Sequence, residues 1–203
     1  QKARHYLAGH EENVVNELKR RLGANTMFLD IGAFVGFYTI LAAKAGSAVM
    51  AFEPDLRSYL LLLYNLKLNK LNEARVMPLN LAVGKCRGVL EFRLAKNWSE
   101  SSITDYLERR EIDKIVKVTA IAIDDIVEQR GVDRVDLVKI DVEGYGAEVV
   151  EGATSTLERH KPAIIFEVHR AQRYDEYRAI RLLKRFDYRC SALLECRSDK
   201  NFV

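Results

Sequence analysis

Short apolar runs rich in β-branched residues alternate along the chain with longer segments whose apolar positions recur at helical spacing. This alternation is typical of βαβ units, in which each helix connects two parallel strands. The predicted strands cover residues 27–31, 48–52, 75–82, 135–140 and 163–168. The predicted helices cover residues 10–22, 36–45, 55–69, 123–129, 147–159 and 170–185. The pattern therefore predicts an α/β fold around a mostly parallel sheet.

The middle of the chain interrupts this alternation. Residues 88–95 and 117–123 form two further extended segments, and the polar stretch 96–113 between them carries the only tryptophan. That stretch is either a mobile cover over a site or a surface insertion without a role. A last extended segment is expected near residues 188–194. Because no repeat or Pro/Gly-rich linker divides the chain, we predict one domain over residues 1–203.

Composition adds little to this picture. The chain has 203 residues, 48% hydrophobic and 30% charged, and its net charge of +3 comes from 32 basic and 29 acidic residues. Such a balance gives no reason to expect a polyanionic partner. The arginine-rich stretch 170–185 is interrupted by Asp175 and Glu176, and it is read as a solvated helix face rather than a nucleic-acid patch.

Targeting and cysteine signals are weak. No apolar run approaches the ~20 residues that span a bilayer, and the N-terminal residues lack the apolar core of a secretory signal. We therefore expect a cytoplasmic protein without a membrane span. The three cysteines show no CxxC spacing, which argues against a zinc site. Cys190 and Cys196 either pair across a tight hairpin or remain thiols.

The segment MFLDIGAFVGFYTILAAKAG, residues 27–46, predicts a strand ending in Asp30, a glycine turn and a helix. Gly32 lets the backbone turn sharply and approach a ligand, while Gly36 lets the helix start pack near the strand. The spacing is looser than the dinucleotide fingerprint Gly-x-Gly-x-x-Gly, and Phe34 stands between the two glycines. A tight turn without a ligand is the alternative.

The next two strand ends carry groups that suit a nucleoside. Glu53 follows the second strand, where an acid in a Rossmann-like sheet accepts hydrogen bonds from the ribose hydroxyls. Phe52 and Pro54 flank it and could lie against an adenine ring. At the end of the third strand, Asn80 and Ala82 offer a polar and a small partner for the adenine edge.

The later strands end in candidate catalytic groups. Asp141 closes the strand of LVKIDVEGYG beside the glycine turn, and His169 closes the strand of FEVH, with Glu167 two residues earlier on the same side. Asp141 is expected to bind the cofactor amine or act in catalysis. Glu143 is either a second site acid or a helix-entry residue, and Lys139 is expected to form a structural ion pair.

Together, FLDIGAFVGFYT, AFEPD, NLAVG, LVKIDVEGYGAEVVEGA and IIFEVH resemble the FkbM-type family of S-adenosylmethionine-dependent methyltransferases over residues 26–170. The resemblance implies a class I, Rossmann-like fold with a seven-stranded sheet, and methyl transfer to a hydroxyl oxygen of a sugar-like or natural-product small molecule. By that likeness Asp30 and Gly32 would hold the amino-acid part of S-adenosylmethionine, Glu53 its ribose, and the segment Asn80, Leu81 and Ala82 its adenine. With the residues that the strand ends and the glycine turn suggest, the expected cofactor-binding set is Asp30, Gly32, Phe34, Gly36, Glu53, Pro54, Asn80, Leu81, Ala82 and Asp141. The strand-end positions make Asp141, His169 and Glu167 the catalytic candidates.

Some features depart from the family or leave alternatives open. Lys85 stands where the family often has an acid, so no adenine-binding acid is assigned there. Asp141, Glu143, Glu167 and His169 could form an oxygen-rich metal site, but no compact ligand motif supports it and no metal is assigned. A transfer-RNA-type methyltransferase, suggested by residues 65–72, a nicotinamide oxidoreductase, and a cofactor-binding scaffold without catalysis are the competing functions.

Overall fold

A computed structural model describes residues 12–71, 75–96, 98, 101–104, 112–168 and 173–191. Its elements follow in chain order. They are α1 (Glu12–Arg21), β1 (Met27–Ile31), α2 (Phe37–Lys44), β2 (Ala48–Phe52), α3 (Leu56–Leu68), β3 (Val76–Leu79), β4 (Ala82–Val83), β5 (Gly88–Ala95), β6 (Ile112–Ile121), α4 (Ile123–Gln129), β7 (Leu137–Ile140), α5 (Gly146–Glu151), α6 (Thr154–His160), β8 (Ala163–Phe166) and α7 (Arg173–Arg185).

In the described part of the chain, five strands form a fully parallel sheet in the order β3-β2-β1-β7-β8. The chain runs outward from β1 in one direction through β2 and β3 and then returns to the other side of β1 with β7. In open α/β sheets, ligands bind at the carboxyl ends of the strands where the order reverses in this way. The predicted parallel α/β sheet is confirmed, and its switch point lies between β1 and β7.

Both faces of the sheet are covered by helices, because alternate residues of each strand point to opposite sides. Leu29, Ile31 and Phe52 pack with residues of α4 to α7 on one face. Phe28 and Val49 pack with residues of α1 to α3 on the other. The strands are therefore apolar on both faces, which is why their sequences read as continuous apolar runs.

A second sheet, ordered β4-β6-β5, fills the interruption between β3 and α4. β5 and β6 form its antiparallel pair, and β4 lies parallel to β6. The strand predicted over 88–95 is confirmed. Its partner was predicted over 117–123 but covers Ile112–Ile121, and α4 follows after one residue.

The single strand predicted over 75–82 is wrong. The chain forms β3 in the main sheet, leaves it at Asn80, and continues as β4 in the second sheet. The Asn80 side chain donates from Nδ2 to the carbonyls of Glu53 and Pro54, at 2.8 and 3.1 Å. These bonds hold the chain at Asn80 against the end of β2, where it leaves the main sheet. The alternation of apolar and polar residues along the strand does not predict them.

The helix predicted over 147–159 is divided into α5 and α6 at Gly152 and Ala153. A Cβ built on Gly152 would lie 2.1 Å from the Gly84 carbonyl oxygen, and the Gly152 carbonyl accepts from the Asp124 amide at 2.9 Å. Asp124 also accepts from Ser155 N and Thr156 N, at 2.8 Å each, so its side chain binds the first turn of α6.

The other predicted helices agree with the structure within one to three residues at each end. The extended segment predicted near 188–194 is not a strand over its described residues, 188–191, and the rest lies outside the described part. The seven-stranded count therefore stays a prediction. None of the helices among the described residues combines the length and the apolar character needed to cross a membrane.

Candidate active site

The candidate site lies where β1, β2, β7 and β8 end, because parallel strands bring their carboxyl ends to one edge. Asp30 in β1 is paired in register with Lys139 in β7. Beyond the last ladder pairs, Asp141 N donates to the Ile31 carbonyl at 3.0 Å, and Glu167 N donates to the Ile140 carbonyl at 2.9 Å. The strand-end residues named from the sequence are therefore held beside one another by backbone hydrogen bonds.

The glycine turn after β1 uses left-handed backbone at three positions: Gly32 at φ 79°, Phe34 at φ 50° and Gly36 at φ 87°. Both Gly32 N and Ala33 N donate to the Phe52 carbonyl, at 3.0 and 2.9 Å. This confirms a sharp turn at Gly32, and the two hydrogen bonds fix it against the end of β2.

Two glycines of this turn have no room for a side chain. A Cβ on Gly32 would lie 1.8 Å from the Asp141 carbonyl oxygen, so the turn touches the loop after β7. A Cβ on Gly36 would lie 2.2 Å from Leu62 Cδ1. Gly36 was expected to let the helix start pack near the strand; its close neighbour is instead α3.

Glu53 is buried at the end of β2, with 6% of its surface exposed. Its Oε2 accepts from Phe34 N and its Oε1 from Asp55 N, both at 2.8 Å. Burial raises the pKa of Glu53 to about 8, although these two amides oppose the shift. Since a carboxylate offers about four acceptor positions, two backbone bonds leave each oxygen able to accept another.

The groups expected around an adenine are only partly available. Phe52 is 1% exposed and belongs to the core, so the expectation that it lies against a ring is wrong. Pro54 and Leu81 are half-buried, Asn80 is exposed and Ala82 is buried. Both described Asn80 bonds use Nδ2, which leaves its carbonyl oxygen as the group able to meet an adenine amine.

A buried charge cluster lies under α2, on one face of β1, β7 and β8. Lys139 is 3% exposed, and its Nζ lies 2.8 Å from Asp141 Oδ2 and 4.9 Å from the centre of the Tyr38 ring. Burial alone would lower the pKa of Lys139, but Asp141, Asp30 and Glu167 outweigh burial and raise it. The predicted ion pair of Lys139 is confirmed, with a cation shared among three carboxylates.

Asp30 is the deepest member of this cluster, with 0% exposed. Its Oδ2 accepts from Thr39 Oγ1 at 2.6 Å, whereas its Oδ1 is buried and has no hydrogen-bond partner among the described residues. Burial raises the pKa of Asp30, and Lys139 acts against that shift. A buried acceptor without a donor is costly, so this oxygen suits a donor that enters with a ligand or an ordered water.

Asp141 and Glu143 have different surroundings. The Asp141 side chain is 29% exposed beside Lys139, which makes it the member of the Lys139 pair that reaches the surface. Glu143 has a left-handed backbone, φ 47°, followed by Gly144 at φ 91°, and the N-cap position of α5 is Tyr145. Glu143 thus shapes the turn that follows β7.

The insertion between β5 and β6 contacts this turn. Ser102, 1% exposed, donates from Oγ to the Glu143 carbonyl at 2.9 Å, and Thr104 Oγ1 donates to the same carbonyl at 3.2 Å. Two other described residues of the insertion, Trp98 and Ser101, contact Arg57 in α3. Arg57 pairs with Asp55 at 2.7 Å, donates to Ser101 Oγ at 3.3 Å and lies 4.9 Å from the Trp98 ring centre.

The sequence did not predict the contacts of Tyr38 with Lys139, of Thr39 with Asp30, or of Arg57 with the insertion. Thr39 lies nine residues after Asp30, on the first turns of α2, and helical spacing alone could have placed it over the end of β1. The contacts of Arg57 with Ala95, Trp98 and Ser101 gave no signal, because these three partners are distant in the chain.

His169 lies outside the described residues, so its role stays a prediction. The described part of the chain contains no group of three His, Cys, Asp or Glu side chains placed to hold a metal ion. Cys190 is exposed and Cys196 lies outside the described residues, so their pairing also stays a prediction.

Comparisons with known proteins agree with this fold. The hexuronic acid methyltransferase AglP of Haloferax volcanii is 25% identical over 162 residues, which cover 78% of this chain and 62% of that protein. A crystal structure of a methyltransferase FkbM from Methylobacillus flagellatus matches with a TM-score of 0.56 and 18% identity, over 79% of this chain and 37% of that one. A putative rRNA-methylase from Clostridium thermocellum matches with a TM-score of 0.53 and 10% identity, over 87% and 80%.

The chain thus spans less than two thirds of the length of AglP and of the Methylobacillus protein. Because both solved structures are less than 25% identical to this chain, their similarity establishes the fold alone, which is the Rossmann-like fold of methyltransferases. The model of the methyltransferase FkbM domain matches residues 30–190, which include every described strand end of the site. The chain therefore belongs to the FkbM family of methyltransferases, whose cofactor is S-adenosylmethionine.

Proposed function

We propose that the protein transfers a methyl group from S-adenosylmethionine to a hydroxyl oxygen of a sugar-like small molecule, with a hexuronic acid as the first candidate. The observation that carries the proposal is the contact between the glycine turn and the Asp141 loop, where a Gly32 Cβ would lie 1.8 Å from the Asp141 carbonyl oxygen. This contact supports the proposal, because it joins a sharp glycine turn of the kind that approaches ligands to the loop that carries an accessible carboxylate. The sugar class is supported by the similarity to a hexuronic acid methyltransferase.

The chain's residues fit this cofactor at two points. The unpartnered Asp30 Oδ1 is an acceptor in a cluster of three carboxylates and one lysine, which suits a ligand carrying an ammonium and a sulfonium. Glu53 retains acceptor positions for the two ribose hydroxyls beyond those used by Phe34 N and Asp55 N. Gly32, Phe34 and Gly36 would border the amino-acid part, and Pro54 with the segment 80–82 would border the adenine.

When bound, S-adenosylmethionine supplies a methyl group on a positively charged sulfur, which leaves as a neutral thioether. The protein has to hold the acceptor oxygen in line with that methyl group, and alignment of this kind can contribute roughly 7–11 kcal/mol. A hydroxyl acceptor must also lose its proton. Asp141 is proposed to orient that hydroxyl and accept the proton, because it is the exposed carboxylate of the Lys139 pair.

The remaining catalytic candidates support Asp141 in this proposal. Glu167 acts on Lys139 through its charge and would share that cation with Asp141. His169, two residues after Glu167 in the sequence, is proposed as an acceptor contact. Ser102 and Thr104 attach the described part of the insertion to the Glu143 carbonyl, so this segment is proposed to border the acceptor.

Calorimetric titration with S-adenosylhomocysteine tests the cofactor half of the proposal. We expect Glu53→Ala to weaken binding at least ten-fold, because both ribose hydroxyls lose their acceptor. Glu91→Ala, which removes an exposed carboxylate from β5, is the matched control and should bind as wild type does. Equal affinity of wild type and Glu53→Ala would refute the nucleoside site.

A further inference from the structure

The outer face of α3 carries a concentration of exposed apolar side chains that the enzyme chemistry does not use. Leu62 and Leu66 point into the core, whereas six large apolar residues of the same helix are between 36% and 61% exposed. We call these six the leucine face: Leu56, Leu60, Leu61, Leu63, Tyr64 and Leu68. Soluble proteins commonly use apolar patches of this kind for binding.

The exposed charged residues in the stretch of chain that contains the leucine face are all basic. Between residues 31 and 71 the only acids are Glu53 and Asp55, and they are 6% and 2% exposed. Lys44, Lys67 and Lys70 are exposed in the same stretch. Lys67 lies on the side of α3 that bears Leu60 and Tyr64, since residues three, four and seven apart share a helix face.

Arg57 is the fourth basic residue between residues 31 and 71. It adds no net charge to the leucine face, because it forms an ion pair with Asp55 at 2.7 Å. Asp113, an exposed acid of β6, comes within 4.0 Å of Arg57, at the end of α3 opposite Lys67. The surface that combines leucines and lysines therefore holds no nearby carboxylate on α2 or α3.

This combination favours an anionic lipid surface over a second copy of the chain. Two leucine faces brought together would place Lys67 and Lys70 of each copy at an interface for which the described residues of α2 and α3 offer no exposed acid. Apolar side chains that enter the headgroup region, flanked by lysines that contact anionic headgroups, are how interfacial helices bind membranes.

We propose that the leucine face of α3 docks the protein on membrane surfaces that contain anionic lipid, with Leu60 and Tyr64 entering the headgroup region and Lys67 and Lys70 contacting the lipid charge. This inference rests on α3 and its surroundings and is independent of the proposed acceptor. It also involves no bilayer-spanning segment.

Flotation with lipid vesicles tests the proposal. Wild type should float with vesicles of phosphatidylcholine mixed with phosphatidylglycerol, should bind vesicles of phosphatidylcholine alone at least ten-fold less, and should dissociate as salt is raised. Leu60→Ser/Tyr64→Ser and, separately, Lys67→Gln/Lys70→Gln should each reduce binding to the mixed vesicles at least ten-fold. Val89→Ser/Ile115→Ser, which removes two exposed apolar residues of the β5–β6 pair, should leave binding unchanged.

Two further measurements distinguish a loss of membrane binding from a loss of folding or of the cofactor site. The thermal midpoint and the affinity for S-adenosylhomocysteine should be the same in wild type and the α3 variants, because the substituted side chains are exposed. Absence of wild-type binding to the mixed vesicles, or equal loss in the Val89→Ser/Ile115→Ser control, would overturn the proposal. A dimer in sedimentation that Leu60→Ser/Tyr64→Ser abolishes would assign the face to a second copy instead.

Discussion

Lys139 Nζ lies 2.8 Å from Asp141 Oδ2, two residues further along the same strand direction, and both groups lie on the side of the sheet that α2 covers. Lys139 is 3% exposed, whereas the Asp141 side chain is 29% exposed. The buried cation therefore holds an accessible carboxylate at the end of β7. Most of the site follows from this pair, because Asp30 and Glu167 act on the same lysine.

Removal of the buried cation should destabilise the protein strongly. Lys139→Met leaves Asp141, Asp30 and Glu167 without their shared partner, and loss of one side of a buried pair costs about 3–5 kcal/mol. Chemical denaturation should show a loss of this size in the free energy of unfolding. Lys117→Met, at an exposed position of β6, should change it by less than about 0.5 kcal/mol. A loss below about 1 kcal/mol for Lys139→Met would contradict the shared-cation arrangement.

A side chain at Gly32 should disrupt the site. Gly32→Ala places a Cβ 1.8 Å from the Asp141 carbonyl oxygen at a φ of +79°, so the turn and the loop must separate. We expect a loss of at least about 2 kcal/mol in unfolding free energy, from left-handed strain and the contact together, and weaker cofactor binding. Gly88→Ala is the matched control, because a Cβ there meets nothing within 4 Å. Equal behaviour of the two variants would argue against the close contact.

Stability should depend on pH through Glu53. Burial raises the pKa of Glu53 to about 8 in the folded protein from its ordinary value of 4.5, so between these values the folded state holds a proton that the unfolded state has lost. The contribution of Glu53 to stability therefore falls as pH rises from about 4.5 to about 8, by at most about 1.4 kcal/mol per unit. In Glu53→Gln this fall should be absent. Denaturation of both proteins at pH 5 and pH 8 measures this fall. An equal change in unfolding free energy for wild type and Glu53→Gln would contradict the prediction.

Cofactor binding should show the opposite pH trend. The proposed ribose contact needs ionised Glu53, and ionisation becomes favourable only as pH approaches 8. Affinity for S-adenosylhomocysteine should rise between pH 6 and pH 8 in wild type and stay level in Glu53→Gln. Titration calorimetry at several pH values measures this difference, and an equal slope for both proteins would separate Glu53 from the cofactor.

Ser102 should affect the acceptor more than the cofactor. Ser102→Ala removes the 2.9 Å bond to the Glu143 carbonyl and the acceptor for Thr104 N, and a buried bond of this kind contributes about 0.5–1.5 kcal/mol. We expect a raised KM for the acceptor with little change in S-adenosylhomocysteine affinity. Thr119→Ala, at an exposed position of β6, should alter neither. If Ser102→Ala weakened the cofactor instead, the segment would not border the acceptor.

Local sequence patterns predicted the elements that pack through their own periodicity. β1, α2 and β2 form an unbroken unit, so apolar runs and helical spacing locate them within one or two residues. The division at Asn80 depends on bonds to carbonyls 26 and 27 residues earlier, and the break at Gly152 depends on contact with Gly84. Such contacts between distant residues have no local signature.

The site was predicted in the same uneven way. The positions of Asp30, Gly32, Glu53 and Asp141 were predictable because each lies in or just after the last residues of an apolar strand, and strand ends converge in a parallel sheet. The depth of each group was not identifiable from that pattern. Burial separates Asp30 from Asp141, and the register between β1 and β7 brings Lys139 beside Asp30.

The most direct test of the whole account is methyl transfer from isotopically labelled S-adenosylmethionine to a panel of hexuronic acids and neutral hexoses. We expect wild type to form an alkali-stable methyl ether on at least one of these sugars. Asp141→Asn should lower kcat by about 10²–10⁴, whereas Glu143→Gln, the matched neighbour, should lower it less than ten-fold. No transfer to any sugar hydroxyl by wild type, or equal losses in the two variants, would contradict the account.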